Sequence, residues 1–386
     1  MSGKRNLRVL SAAVVLVVVL SCLSLLAGAE KDEKEVRVIV LFKDKVDKDL
    51  VKKHGGSIID EYTIIPGLVS ELTQDEINEL RKSAKVKSVD EDSTAEIMGE
   101  VDEDGKGKPS PPPPATDWGV SRINADDVWE IPNTGSGVKV AVLDTGIDLD
   151  HKDLGTVYSG WDFINNDANA DDDNGHGTHC AGIIGALDDG NGVSGVAPGV
   201  TLYAVKVLDS KGSGPYSVII DGIEWAVSND MQVISMSLSG TYNSAALEAA
   251  CDNARAEGIV IVAAAGNSGN TRAQYPAAYS SVISVGATDS TDARAKFSSY
   301  GSTLDLMAPG VNILSTYPND RYAGMSGTSM ACPHVSGTVA LVLYAHSGWN
   351  PDQVQTCLQK TAYDLDSIGW DKYTGYGLVD ALAAVS

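Results

Sequence analysis

Residues 138–146 read Val-Lys-Val-Ala-Val-Leu-Asp-Thr-Gly, an apolar run that stops on a carboxylate and a glycine. Apolar residues at consecutive positions predict a strand buried on both faces, and the Asp-Thr-Gly marks its carboxyl end. Val- and Ile-rich runs recur at 201–207, 233–236, 259–265 and 282–285, and helical stretches near 176–186, 216–228 and 244–257 separate most of them. That alternation predicts an α/β domain with a mostly parallel central sheet covered on both faces, a three-layer arrangement. Ligands of such sheets gather at the carboxyl ends of the strands, where Asp144 lies.

Upstream, residues 36–98 predict a separate small α+β module in β-α-β-β-α-β order, with a capping box at Thr73-Gln-Asp-Glu76 opening its second helix. An acidic, Gly-, Lys- and Pro-rich stretch follows, including Pro111 to Pro114, and predicts an extended linker over 99–117. At the start, Lys4, Arg5 and Arg8 precede an apolar run from Val9 to Leu26 that closes on Ala27-Gly28-Ala29. This order predicts a signal peptide over 1–29 and an exported chain of four parts: 1–29, 30–98, 99–117 and 118–386. A retained span fits less well, because residues 30–35 lack a basic stop-transfer cluster. Lipidation of Cys22 is disfavoured by the bulky Leu20 before it.

The 386 residues carry 29 Lys and Arg against 52 Asp and Glu, a net charge of −23, which argues against nucleic acid as a partner. Five cysteines are too few for a disulfide framework. No membrane span is expected in the mature chain, and a monomer is expected.

Two further segments carry chemistry. His176 opens a helix in Asp-Asn-Gly-His-Gly-Thr-His-Cys (173–180), and Ser329 opens another in Gly-Thr-Ser-Met-Ala-Cys-Pro-His (327–334). Nucleophilic serine catalysis needs a base within hydrogen-bond reach and a carboxylate that fixes the imidazole, and three separate segments must converge to supply them. Each motif alone has an ordinary reading, Asp-Thr-Gly as a turn and Gly-Thr-Ser as a helix cap. An aspartic protease would need a second Asp-Thr/Ser-Gly, which is missing. A noncatalytic calcium-binding protein or propeptide chaperone would not need the full residue set. His179 is expected to be structural, and a zinc site at His334 has no matching ligand spacing. Cys180 and Cys332 are left open between free thiols and a bridge; Cys251 and Cys357 are expected to be free.

These segments, with Val-Ala-Ala-Ala-Gly-Asn-Ser-Gly at 262–269, resemble the subtilisin-like serine proteases made as pre-proproteins. The resemblance covers Val36 to Gly99 as an inhibitory propeptide and Trp118 to Ser386 as a subtilisin-like catalytic domain. It implies Asp144 as orienting carboxylate, His176 as base and then acid, Ser329 as nucleophile and Asn267 as oxyanion donor. It implies that polypeptide substrate lies extended between Gly212-Ser213-Gly214 and Ser237-Leu238-Ser239. Ala265 and Gly266 would border the primary pocket, and Tyr216 the pocket for the fourth residue before the cut. Ser239 stands where the family usually has glycine. No acidic residue lines these segments, so a broad or apolar preference is expected. The propeptide would act as folding aid and inhibitor, cut by its own protease between Met98 and Gly99.

Structural Ca2+ is the expected cofactor. The carbonyls of Leu187, Asn191 and Val193 with the carboxylates of Asp153 and Asp189 make one site by resemblance. The usual N-terminal ligand falls in the proline run at Pro114, with Asp117 as a substitute. Asp162, Asp167, Asn169 and Asp171 offer hard oxygens for a second site, resembling a loop of the thermophilic branch, against the alternative of a merely solvated acidic loop.

Overall fold

A computed structural model describes residues 34–101 and 117–386. The expected signal peptide at 1–29, with Cys22, and nearly all of the expected linker, with Pro114, lie outside the described residues. The N-terminal module consists of β1 (Val36–Phe42), α1 (Lys48–Lys53), β2 (Ser57–Glu61), β3 (Gly67–Leu72), α2 (Gln74–Leu80) and β4 (Val86–Glu91). Its antiparallel sheet has the order β2-β3-β1-β4 and buries Val38, Val40, Phe42, Leu68 and Leu72 against Val51 and Leu80 of the helices. The expected capping box is present: Thr73 accepts from the Glu76 N–H and Glu76 reaches back to the Thr73 N–H. Strand β2 stops at Glu61, ahead of a turn in which the Phe42 N–H donates to the Pro66 carbonyl.

After β4 the chain forms β5 (Thr94–Ile97) and β6 (Glu100–Val101), and then the large domain begins with α3 (Trp118–Arg122) and α4 (Ala125–Trp129). Its strands are β7 (Lys139–Asp144), β8 (Val157–Asp162), β9 (Thr201–Lys206), β10 (Ser213–Pro215), β11 (Val233–Met236), β12 (Leu238–Ser239), β13 (Val260–Ala264), β14 (Ile283–Thr288), β15 (Leu306–Pro309), β16 (Ile313–Tyr317) and β17 (Arg321–Ser326). Its remaining helices are α5 (His176–Gly185), α6 (Tyr216–Ser228), α7 (Ala245–Ala256), α8 (Thr328–Ala345), α9 (Pro351–Thr361) and α10 (Ala381–Val385).

Seven strands form a parallel sheet in the order β15-β14-β13-β11-β7-β9-β8. Side-chain alternation along these strands feeds two cores. Val140, Val142, Val233 and Val262 face one core, shared with Ala181 and Ile184 of α5 and Val335 and Val339 of α8. Ala141, Leu143, Ile234 and Ala263 face the other, shared with Ile219 and Ile223 of α6 and Leu247 and Ala250 of α7. This is the three-layer α/β architecture expected from the sequence. Strands β8 and β15 gave no comparable signal. Both are sheet edges; β8 is only partly buried and β15 ends on Pro309.

Candidate active site

Asp144 ends β7, and its Oδ1 lies 2.8 Å from His176 Nδ1 at the start of α5. The Thr145 N–H donates to the same oxygen at 2.8 Å, so the carboxylate is held from two directions. Both side chains are buried. Burial works against an imidazolium, but the facing Asp144 carboxylate prevails and the His176 ring is raised well above the ordinary histidine range. Cys180 lies one turn along α5, with Sγ 3.9 Å from Nδ1. Burial pushes that thiol up, so it carries no charge to share with the pair. His176 Nε2 is buried without a hydrogen-bond partner.

Ser329 is the second residue of α8, where backbone N–H groups lack partners within the helix. Its N–H donates to the carbonyl oxygen of Met98 at 3.2 Å, and Asn267 Nδ2 donates to that oxygen at 2.8 Å. The amide is oriented by Thr328, whose N–H and hydroxyl both donate to Asn267 Oδ1, at 3.0 and 2.8 Å. Thr328 was not singled out from the sequence, although it is the middle residue of Gly-Thr-Ser. A Cβ at Gly327 would come within 2.0 Å of the Met98 oxygen, so only glycine lets the chain approach this closely. The Ser329 hydroxyl donates to the Ser237 carbonyl at 2.8 Å and accepts from the Met98 N–H at 2.9 Å. A Cβ built on Gly99 would lie 3.2 Å from His176 Nε2, so the peptide bond after Met98 runs past both groups.

The chain entering this site is extended. Strand β5 is antiparallel to β10 on one side, with Ser213 opposite Glu96 and Gly214 opposite Ala95. On the other side it is antiparallel to β12, with Leu238 opposite Ile97 and Ser239 opposite Glu96. The Ile97 N–H donates to the Gly212 carbonyl at 2.9 Å, and the Tyr216 N–H donates to the Ser93 carbonyl at 2.8 Å. Beyond the bond, β6 pairs with β17, Glu100 opposite Ser326 and Val101 opposite Met325. This second pairing had no sequence signal. Ser239 is buried, with its hydroxyl 3.4 Å from Gln274 Oε1. Gln274 packs against Gly266, where a Cβ would meet its Cγ at 2.6 Å, and it donates to Ser268 Oγ at 3.2 Å. It therefore narrows the space that Ala265 and Gly266 border, and a lone Gln among loop residues gave no cue to this.

The two expected calcium sites fare differently. Asp153 is buried, and its Oδ2 accepts from the Val193 N–H at 2.9 Å. Burial raises its carboxyl to about 6, and nearby Asp189 adds to the shift. A Cβ at Gly192 would strike Asp153 Oδ2 at 2.2 Å, so the loop is wrapped tightly around that carboxylate. Leu187 is tied in through its N–H to the Asp153 carbonyl, and Asn191 through its N–H to Asp189. A buried carboxylate with a second one near it offers the hard oxygen donors that a calcium ion takes, while each also accepts an N–H of the loop. Asp117 does not join it: one oxygen caps α3 through Gly119 and the other accepts from the Leu314 N–H at 3.1 Å.

The second group is not assembled. Asp162 accepts from the Ile164 and Asn165 N–H groups and the Asn165 side chain, Asp167 from the Asn169 N–H, and Asp171 from the Leu149 N–H. The acids are spent on ordering their own loops. Among the described residues, the only three His, Cys, Asp or Glu ligand atoms within 4.8 Å of one another belong to Asp144, His176 and Cys180. His179 is buried, with Nε2 on the carbonyls of Ile313 and Ala323, and burial lowers its ring to about 3. His334 Nδ1 meets the Met330 carbonyl, and among the described residues neither ring stands in a group of three His, Cys, Asp or Glu ligand atoms. Cys180, Cys251, Cys332 and Cys357 are free thiols.

Residues 135–377 match the subtilase family, and residues 25–98 match the peptidase inhibitor I9 family. The chain is 43% identical to subtilisin NAT of Bacillus subtilis subsp. natto over 369 residues, covering 92% of each chain. It is 38% identical to an alkaline protease of Shouchella clausii over 396 residues, covering 99% of each. Identity to subtilisin DY of Bacillus licheniformis is 50% over 271 residues, covering 69% of this chain and 97% of the relative. The chain belongs to the subtilase family: it is a serine endopeptidase that carries its own I9-type propeptide.

Proposed function

We propose that Ser329 attacks the peptide carbonyl, that His176 takes its proton and returns it to the leaving amine, and that Asp144 holds the imidazole in register. Ser329 N–H and Asn267 Nδ2 receive the oxyanion. The observation that supports this most directly is the Met98 carbonyl oxygen resting on both of those donors. For attack, the Ser329 hydroxyl must turn from the Ser237 carbonyl toward Nε2, which is buried and unpartnered and so has a strong drive to accept. An imidazole raised by Asp144 is a competent base, and two fixed dipoles meet the new negative charge without reorganisation.

Substrate is any polypeptide able to lie as a strand between β10 and β12, because main-chain hydrogen bonds recur whatever the sequence. Selection falls to the side-chain pockets. With Met98 before the bond and Gln274, Ser239, Ala265 and Gly266 around the primary pocket, a broad preference for unbranched apolar residues follows. The chain is made with a signal peptide over 1–29 and exported. Its propeptide over 30–98 is removed by cleavage between Met98 and Gly99, leaving 99–117 as a tail on the catalytic domain 118–386. Calcium held by Asp153, Asp189, Leu187, Asn191 and Val193 would pin the loop ahead of β9 and take no part in the chemistry.

The test is a serine-directed phosphonyl fluoride. One equivalent should abolish peptide hydrolysis and be recovered on Ser329, and Ser329→Ala should lose at least about 10³-fold in activity with an unchanged melting curve. Label on another residue, or a few per cent of activity in the variant, would overturn the assignment.

A further inference from the structure

Lys206 ends β9, in register with Asp144 on one neighbouring strand and Asp162 on the other, and it is only 1% exposed. A buried ammonium is strongly disfavoured unless each of its three N–H bonds finds a fixed acceptor. Here each does. Lys206 Nζ donates to the Thr145 carbonyl at 2.7 Å, to Asp173 Oδ1 at 2.6 Å and to the Leu208 carbonyl at 3.0 Å. Thr145 follows Asp144 and holds its carboxylate through the N–H already described. Asp173 precedes Asn174, whose Oδ1 accepts the His176 N–H at 3.1 Å. Leu208 donates its own N–H to the Asp144 carbonyl at 3.1 Å, so the third contact returns to the same turn.

Simple charge neutralisation does not account for the lysine. The Asp173 side chain is 51% exposed and would be solvated without a partner. An apolar side chain of similar volume would fill the interior without desolvating a charge, and such exchanges are often neutral or stabilising. What an apolar residue cannot do is join the turn after β7 to the loop before α5. Those two segments share no backbone ladder. They are joined by the Asp144–His176 bond, by Gly177 N–H and Thr145 Oγ1 at 3.0 Å, by Thr145 Oγ1 and Asp172 at 2.8 Å, farther along by the Ile147 N–H to the Ala170 carbonyl at 3.1 Å and the Asp148 N–H to Thr178 Oγ1 at 2.9 Å, and by this ammonium, the one cation among them.

We propose that Lys206 is a positioning residue for the catalytic triad: its ammonium fixes the turn that carries Asp144 against the loop that carries His176. It touches neither substrate nor the reacting atoms. Its loss falls on the alignment of the imidazole, and therefore on kcat, while the strand edges that bind substrate keep KM.

The test measures kcat, KM and melting temperature for the mature enzyme and for Lys206→Met, Asp173→Ala and the double variant. Lys206→Met is expected to lower kcat about 10–100-fold, the scale of a small misplacement in a catalytic constellation, with KM within about twofold of wild type. Asp173→Ala leaves the buried ammonium without its one anionic acceptor, so it should lower the melting temperature and, in the enzyme that remains folded, lower kcat several-fold with KM nearly unchanged. The double variant should be no slower than Lys206→Met, because both changes cut one connection. A kcat within about twofold of wild type in Lys206→Met, or losses that multiply in the double variant, would overturn the proposal. Should Lys206→Met fail to fold, Asp173→Ala decides alone, and an unchanged kcat there is the contrary result.

Discussion

The propeptide meets the protease in two places that differ in kind. In the cleft, β5 and Met98 are held by backbone groups, Gly212 and Ser237 carbonyls and the Ser329 N–H, with Asn267 the one side-chain donor to the Met98 carbonyl. On the far side the contact is built from side chains of the I9 module. Asp92 Oδ1 accepts from the Ser217 N–H at 2.8 Å and its Oδ2 from the Ser217 hydroxyl at 2.7 Å, while Arg37 pairs with Oδ2 at 2.9 Å. Helix α6 begins after Pro215, which provides no side-chain cap, so Asp92 supplies one from the other module. Asp90 does the same for α7, accepting from the Ala245 N–H at 2.9 Å. The cleft contact uses groups that every polypeptide has, whereas the helix-cap contact uses side chains particular to the I9 module. A cut after Met98 would leave both contacts on the fragment, β5 in the cleft and Asp90 and Asp92 at the helix starts, which supports its reading as an inhibitor.

The sharpest way to break this comparison is to damage the cleft alone. Asn267→Ala should cost roughly 10²–10³-fold in turnover with little change in KM. Inhibition by added 30–98 fragment should weaken far less, as steady-state assays with and without fragment will show. Damage to the other face should do the reverse. Asp92→Ala in the fragment removes charge-assisted hydrogen bonds to Ser217 and Arg37, so its inhibition constant should rise about 10–100-fold. Peptide hydrolysis by the mature enzyme should not change.

A smaller effect comes from protons. Asp221 of α6 and Asp60 of the propeptide line a cavity of about 680 Å³ together with Glu224 and Arg37, and Asp92 lies close enough to act on Asp221. Burial first, then Asp60 and Glu224, raise its carboxyl to about 8. Release of the propeptide removes Asp60 and admits water, so the pKa falls toward the ordinary range. The complex therefore binds the proton more tightly than the separated parts, and its extra stability is present at low pH and lost as pH rises through about 8. Fragment inhibition should weaken by at least about tenfold between pH 5 and 8, and Asp221→Asn should flatten that dependence. A pH-independent inhibition constant would remove the acidic patch from the account. Calcium should act on neither contact. Chelation should lower the melting temperature of Ser329→Ala by about 5–10 °C and leave the initial rate of active enzyme unchanged. Asp189→Ala should remove most of the thermal effect.

What could be read from the sequence follows the same division. The parallel sheet was legible because buried strands such as Val140 to Leu143 write their environment in consecutive apolar residues. The catalytic segments were legible because nucleophile, base and carboxylate each sit at a strand end or helix start. The edge strands β8 and β15 were not, since half-exposed or Pro-ended strands carry no such run. Asp90 and Asp92 looked like ordinary surface acids, because the helix starts they cap lie more than a hundred residues away in sequence. Lys206 and Gln274 were silent for the same reason: a buried polar group is intelligible only once its acceptors are in place. The acids at 162–171 suggested a cation by their density, and the structure adds that their oxygens accept local N–H groups.

We propose that the Met98–Gly99 bond, which runs past Ser329 and His176, is a substrate of its own chain. Intact-mass measurement with terminal sequencing during the first minutes of refolding tests it directly, on the wild-type chain from Glu30 onward and on Ser329→Ala alone. The wild type should yield Gly99 as its first new terminus, and Ser329→Ala should stay joined. A first terminus far from Gly99, or processing of Ser329→Ala with no active protease present, would contradict the account.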